Sequence, residues 1–451
     1  MERSERSKLR SKSPETPEKN QPEKNPESGQ GIGRRHFLKG SLGVLATGSI
    51  LPSPLLAAKS YAGGRGELKV GLIGCGGRGS GAAVQALRAD KEARLVAMAD
   101  AFSDRLENSL RHLLQTNVKE RVQVPEGHRF TGFDGYKKVL ELVDVVILTS
   151  PPHFRPRHLA AAVAAGKHIF CEKPVAVDAP GVRSVLESCR KAKEKGLSLV
   201  SGLCWRYHNG MRATFEKIHE GAIGEIRAIQ ATYNTGGLWH RGFKKEWSQM
   251  ENMVRNWIYY TWLSGDHIAE QHIHSLDKIA WAMKDEYPVR VTASGGRQVR
   301  TDPKYGNVYD HFNTVYEFKN GVKGFASCRQ WNGAANDVSD HVFGSDGVCH
   351  VFKHQIVGKH PWKFRGKHNS MYQAEHDALF ASIRKGEPIN NGDYMVKSTL
   401  MAIMGRMAAY TGKVITWEEA WNSKERLGPE VYEWGDYTPK PVARPGITRF
   451  F

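Results

Sequence analysis

The chain has 451 residues, a formal net charge of +18, 40% hydrophobic residues and 25% charged residues. This balance excludes a wholly disordered protein, a collagen and a multi-span membrane protein, and six cysteines over this length exclude a small disulfide scaffold. The length fits two domains with extra chain, and the charge alone points toward nucleic acid or anionic surfaces.

Lys, Glu, Pro, Ser and Asn dominate residues 1–30, where Leu9 is the only aliphatic residue after Met1. That segment cannot bury enough apolar surface to offset chain entropy, and it reads as disordered. Gly33-Arg34-Arg35-His36-Phe37-Leu38-Lys39 then resembles a bacterial twin-arginine export signal. An apolar stretch over 42–58 follows, and Pro52 and Pro54 break it too early for a transmembrane helix. Cleavage sites ending at Ala62 or Ala58 complete the pattern. Residues 1–62 therefore read as leader and signal, the destination as periplasmic, and no stable membrane insertion is expected after processing. Folding before export, in a reducing compartment, predicts free thiols.

A nucleotide-binding unit opens at residue 67. The run 67–73 suits a buried parallel strand, Gly74-Cys75-Gly76-Gly77-Arg78-Gly79 makes a glycine turn, and 81–87 reads as helix. That context raises G-x-G-x-x-G above chance. Gly74 permits the tight turn, Gly76 lets backbone approach a pyrophosphate, and Gly79 lets helix and strand pack closely. The strand 94–99 ends in Asp100, 21 residues after Gly79, where an acid bonds the ribose 2′-hydroxyl. Asp100 favours NAD over NADP, because a 2′-phosphate would meet a carboxylate; Arg105 works against that preference. A further strand, 143–149, ends in Ser150-Pro151-Pro152-His153, expected beside the cofactor because ligands lie beyond strand carboxyl ends. The next strand, 167–171, runs into Glu172-Lys173-Pro174.

These motifs resemble the Gfo/Idh/MocA oxidoreductases, above all Ala165-Gly166-Lys167-His168-Ile169-Phe170-Cys171-Glu172-Lys173-Pro174 after a Rossmann unit. Gly221-Ala222-Ile223-Gly224-Glu225-Ile226 and the segment 270–277 extend the resemblance over about 67–420. It implies an N-terminal Rossmann doubly wound parallel sheet followed by an α+β domain with a large, mostly antiparallel open sheet. The domains are set at 63–195 and 196–437, with a tail at 438–451. It also implies that Arg78, Gly77, Glu172 and Lys173 lie at the cofactor. Lys173 hydrogen-bonds the reacting hydroxyl, and Glu270 and His274 assist proton transfer. Glu270, His272, His274 and Asp277 stand where the family pattern has Asp, Gly, His and Asp, so a longer acid and a bulky His272 depart from it. The substrates implied are sugars or polyols, and the second sheet is expected to support a homo-oligomer.

Oxidising a secondary alcohol needs a hydride acceptor and a group that removes the hydroxyl proton. A neutral His suits the second task, and an ammonium such as Lys173 steadies the developing alkoxide. On one continuous helix, Glu270, His274 and Asp277 would share a face. His267, Glu270, His272 and His274 are also metal-ligand types, but their spacing diverges on a helix and no His-Glu-x-x-His occurs, so no metal is expected there.

Residues 239–262 hold seven aromatics in 24 positions. Trp257 and Trp262, flanked by Asp266 and His267, are candidate walls for a sugar, since aromatic faces stack on sugar C–H faces; a hydrophobic core or an oligomer contact is the alternative. Arg206 and Tyr207, after the strand 199–203, are further substrate candidates. Strand-like runs at 225–234, 289–297, 312–318, 322–328 and 347–352, with Asn320-Gly321 as a hairpin turn, fit an antiparallel sheet. Helices are expected at 372–385 and 394–411. Residues 1–62 hold 11 Lys and Arg against 6 Asp and Glu, so the remaining chain keeps +13. No nucleic-acid motif accompanies this charge; a dianionic cofactor uses some of it, and acidic sugars would suit the rest.

Overall fold

In a computed structural model, residues 66–450 are described. The expected leader, its arginine pair and both cleavage positions lie outside the described residues.

The first sheet has six parallel strands: β1 (Leu68–Ile73), β2 (Ala93–Asp100), β3 (Arg129–Thr131), β4 (Val145–Leu148), β5 (His168–Cys171) and β6 (Leu199–Ser201). Their order is β3-β2-β1-β4-β5-β6, and every pairing is parallel. β4 is buried throughout, as a strand must be when helices cover both faces. Strand order reverses between β1 and β4, the place where doubly wound sheets open a crevice at their carboxyl ends. Because β6 belongs to this sheet, the sheet runs past the expected boundary at residue 195.

The second sheet has nine strands. They are β7 (Ile226–Thr235), β8 (Arg290–Gly296), β9 (His311–Glu317), β10 (Lys323–Gln330), β11 (Asp337–Gly344), β12 (Gly347–His350), β13 (Gln355–Gly358), β14 (Trp362–Lys363) and β15 (Ile415–Thr416). The order is β14-β13-β12-β11-β7-β10-β9-β8-β15. Only β7 and β10 pair in parallel; the other pairings are antiparallel. Asn320-Gly321 turns β9 into β10, with Gly321 at φ 84°. β11, absent from the sequence reading, joins β7 to β12. Its Asp and Ser positions hide the alternation that puts Asp340 and Val342 inside.

Helices Ile273–Ala282 and Gly392–Thr411 cover the inner face of this sheet in one continuous apolar core with part of the Rossmann unit. Helix Met371–Lys385 returns to the first domain. Its Leu379, Phe380 and Ile383 pack with Val70, Leu72, Leu87 and Phe170. The C-terminal tail is docked: Tyr309 Oη donates to Ala443 O (2.9 Å) and Gly446 N to Thr411 O (2.9 Å). Among the described residues, no helix is long and apolar enough to cross a membrane.

Candidate active site

The strand ends of β1, β2 and β4 border a cleft of about 420 Å³ lined by Gly74, Gly76, Gly77, Arg78, Gly79, Asp100, Thr149, Ser150 and Pro151. Gly74 has φ +97°, and a Cβ on it would lie 2.4 Å from Ser150 N. A Cβ on Gly79 would lie 2.0 Å from Gly74 O, so strand and helix meet only through glycine there. Around Gly76 and Gly77 there is open space. Gly76 is also the N-cap of helix Gly77–Ala89, so its turn offers backbone amides and a helix N-terminus to an anion. Asp100 stands at the end of β2 and accepts from Cys75 N (2.7 Å) and Phe102 N (3.0 Å). Burial raises its pKa against these hydrogen bonds, which lower it.

β5 lies next to β4, and Lys173 follows its end. Lys173 Nζ donates to Glu270 O and sits 3.4 Å from Glu270 Oε1. Glu270 ends the one-turn helix His267–Glu270, and a second helix begins at Ile273. The expected single helix through Glu270, His274 and Asp277 is therefore broken at Gln271-His272. Glu270 reaches Lys173 from the first helix, while His274 comes from the second. Burial, then the Lys173 charge, pulls the His274 pKa well below the ordinary value. Its buried Nδ1 has no partner. The arrangement is an ammonium held by a carboxylate beside a neutral imidazole.

Residues 68–200 match the family model described as an oxidoreductase family with an NAD-binding Rossmann fold, and residues 211–350 match its C-terminal domain. The chain belongs to the GFO/IDH/MocA oxidoreductase family. It is 28% identical over 220 residues to 2,7-anhydro-N-acetylneuraminate hydratase of Escherichia coli, covering 48% of this chain and 54% of that protein, about half the relative's length. It is 25% identical over 293 residues to an inositol 2-dehydrogenase of Klebsiella pneumoniae, covering 63% and 74%. Its fold is similar to that of an aldose-aldose oxidoreductase from Caulobacter crescentus, with a TM-score of 0.61 at 20% identity over 78% of this chain and 99% of the other. A levoglucosan dehydrogenase solved with NADH and levoglucosan gives a TM-score of 0.57 at 18% identity, covering 78% and 99%.

Within this GFO/IDH/MocA chain, several residues expected at the site are committed elsewhere. Arg206 makes a two-pronged ion pair with Asp277 (2.9 and 2.9 Å) and also binds Asp285. Its guanidinium lies over the rings of Trp281 and Tyr394. Asp277 further accepts from Ser398 Oγ (2.8 Å), so Arg206 and Asp277 hold the domain together and offer nothing to a substrate. Tyr207 donates to Asn391 Oδ1 (2.7 Å) and packs under helix Met371–Lys385. Trp262 is buried against His153, Phe154 and Tyr437, an aromatic core contact rather than a sugar wall. His153 bonds Tyr432 Oη (2.7 Å); Pro152, His153, Glu172 and Lys173, all expected at the cofactor, do not line the cleft.

Asp266 adopts φ 68° and ψ 164°, a region that side chains rarely occupy. Its carboxylate is filled by Tyr309 N (2.7 Å), Tyr410 Oη (2.5 Å), and His267 N (2.6 Å) and Nδ1 (3.1 Å). Asp266 and His267 thus shape the bend ahead of Glu270 from within the core. Trp257 lines the cofactor cleft, alongside Trp239, Arg241 and Arg255. The Arg78 side chain is bound by Glu172 (2.5 Å), Gln85 (2.8 Å) and Glu375 (2.6 Å) at the edge of the cleft that Arg78 lines. Glu172 in turn is taken up by Arg78 and by Lys173 N (3.0 Å).

The sequence reading missed Phe102, Tyr136, His158 and Arg241 on the cleft wall. His158 Nδ1 pairs with Ser150 Oγ (3.0 Å), and burial drops its pKa to about 3. Tyr233 on β7 lies near Glu270, and burial and that charge raise its pKa. An inward-facing Tyr on a strand was the only signal available for it.

Proposed function

We propose that this protein is an NAD-dependent oxidoreductase acting on a secondary hydroxyl of a sugar, polyol or glycoside, with the nucleotide kept bound through turnover. The Lys173–Glu270 pair, at the end of β5 with β4 between it and the open glycine turn, carries this reading. The turn fits the group: backbone at Gly76 and Gly77 faces free space for a pyrophosphate, and Asp100 stands where ribose hydroxyls need an acceptor. Bound nicotinamide supplies a hydride acceptor and donor. The chain's own residues supply the rest. Lys173 donates to the reacting oxygen and stabilises its developing charge. Glu270 holds the ammonium in place, and the neutral His274 accepts the hydroxyl proton. The names of relatives, inositol 2-dehydrogenase and aldose-aldose oxidoreductase, support a polyol or sugar substrate.

The hydratase relative favours a second reading. Here a transient keto group acidifies the neighbouring C–H, Glu270 or His274 removes that proton, and elimination cleaves the glycoside before the hydroxyl is restored. Both readings suit export by the twin-arginine route to the periplasm, which delivers a folded, nucleotide-loaded protein to a compartment with no evident nucleotide pool. We also place a homo-oligomer contact on the open face of the nine-stranded sheet, where Phe325 is exposed.

The test begins with full-length protein denatured and its nucleotide identified. About one equivalent of NAD(H) is expected; NADP(H) in its place overturns the Asp100 assignment, and empty protein that turns over added NAD overturns the bound-nucleotide scheme. Lys173→Ala should lower kcat by about 10²–10⁴ with nucleotide content and thermal midpoint kept; unchanged turnover removes Lys173 from the chemistry. Solvent deuterium entering the carbon beside the oxidised centre, without net NADH, selects elimination over transfer.

A further inference from the structure

Three histidines far apart in sequence converge outside the cofactor cleft. His208 precedes helix Asn209–His219, His354 sits between β12 and β13, and His368 lies in the loop ahead of helix Met371–Lys385. One ring nitrogen from each lies within 4.8 Å of the others. The ring centroids are 5.1, 5.1 and 5.2 Å apart. None of the three lines the cleft at the glycine turn.

We propose that His208, His354 and His368 form a binding site for a divalent transition-metal ion of the zinc class, with a fourth position left to water.

The surroundings are built for this. Thr214 Oγ1 donates to Gly210 O (2.7 Å) and is left to accept from His354 Nδ1 (3.2 Å). That hydrogen bond puts the ring proton on Nδ1 and frees the Nε2 lone pair, as an outer partner does for a metal-bound imidazole. His354 itself has φ 47°, a left-handed residue without glycine's freedom. The loop carrying His368 is tied to His208's neighbours by reciprocal bonds. Asn209 N donates to Asn369 Oδ1 (3.0 Å), Asn369 Nδ2 to Tyr207 O (3.0 Å), and Asn209 Nδ2 to Lys367 O (2.6 Å). Gly210 closes the floor, since a Cβ there would lie 3.0 Å from His354 Nε2 and 3.1 Å from His208 Cε1.

His208 Nδ1 accepts from Met211 N at 3.2 Å, so coordination through Nε2 moves the ring proton to Nδ1 and gives up this long bond. Zn–N distances of about 2.0–2.1 Å put tetrahedral ligand nitrogens about 3.4 Å apart, inside the 4.8 Å within which these three lie. Three imidazoles without carboxylate or thiolate suit zinc, copper or nickel over magnesium or calcium.

The experiment uses untagged full-length protein, chelator-treated and titrated with Co²⁺. One equivalent with tetrahedral visible absorption, displaced by Zn²⁺, is expected. His368→Ala should abolish that spectrum and weaken Zn²⁺ binding about 10-fold or more. Asn369→Ala should weaken it less, and His360→Ala, outside the cluster, should leave it unchanged. Zn²⁺ should raise the thermal midpoint of the parent and not that of His368→Ala; this readout separates lost ligation from lost folding. Failure to bind a stoichiometric ion, equal binding by His368→Ala, or a thiolate-to-cobalt band would overturn the site.

Discussion

At the scale of single residues, the same residue type does different work according to what a side chain would meet. Gly79 exists because its Cβ would collide with Gly74 O, whereas Gly76 faces open space that a pyrophosphate needs. The two substitutions should therefore separate. Gly79→Ala should destabilise the nucleotide-free protein by about 1–3 kcal/mol through overpacking. Gly76→Ala should leave the denaturation midpoint of that protein nearly unchanged while reducing bound NAD(H). Equal effects on both quantities would show that the turn does not divide in this way. The histidines and acids of 266–277 divide too. Glu270 contacts Lys173 and the Lys173 charge acts on His274, whereas Asp266 and Asp277 are saturated inside the core. From the sequence, Glu270, His274 and Asp277 read as one helix face and Asp266 as part of a substrate wall. A left-handed Gly265 at φ 78°, a strained Asp266 and the break at Gln271-His272 redistribute them.

At the scale of elements, helix Met371–Lys385 shows why one cut between domains is too simple. It is foreseen almost to the residue by its pattern, yet its partner is not. It packs on helix Gly77–Ala89, close to 300 residues earlier in the chain, and on β5 and β6, about 200 residues earlier. Arg78 reaches Glu375 on it, and Glu172 shares the same guanidinium. Burial, then the Glu172 charge, raises the Glu375 pKa well above the ordinary value. The helix thus braces the turn that meets the cofactor. Leu379→Ala should cost about 2–5 kcal/mol in chemical denaturation and lower retained nucleotide as well. A loss of stability with full nucleotide content would show that the helix supports the fold alone. The segment 239–262 has the opposite history. Its aromatics were legible as a cluster, but pattern alone could not assign Trp257 to the cofactor cleft and Trp262 to the core.

At the scale of the whole molecule, the buried histidines set the response to acid. Burial holds His153 and His168 at about 4, and His158 and His272 at about 3, against about 6.5 in an unfolded chain. The folded pKa values are depressed, so below about 6.5 the unfolded state binds protons that the folded state does not. Their stabilising effect is complete above about pH 6.5 and is lost as pH falls through 4 toward 3. The thermal midpoint should be level near pH 7–8 and decline steadily from about 6.5 to 4. A flat profile across that window would mean these rings are hydrated or paired in solution. The six cysteines, all buried and unbridged, match the expectation of free thiols, and burial raises the pKa of Cys171 to about 12.

The sequence by itself determined the parts whose contacts are local. A strand, a glycine turn and a helix within about 30 residues specify a nucleotide crevice, because each glycine answers a clash or an approach in its own turn. The Lys173 position follows from a second local motif, Glu172-Lys173-Pro174 directly after a strand. Tertiary structure alone decided what distant segments bring. It decided that Arg206 is spent on Asp277, that Trp257 rather than Trp262 meets the cleft, and that Asp- and Ser-bearing β11 joins the second sheet. It also decided that His208, His354 and His368 meet. Those contacts span many tens to hundreds of residues. They are chosen by which apolar faces bury one another and which polar groups find partners there, and no spacing along the chain records that choice.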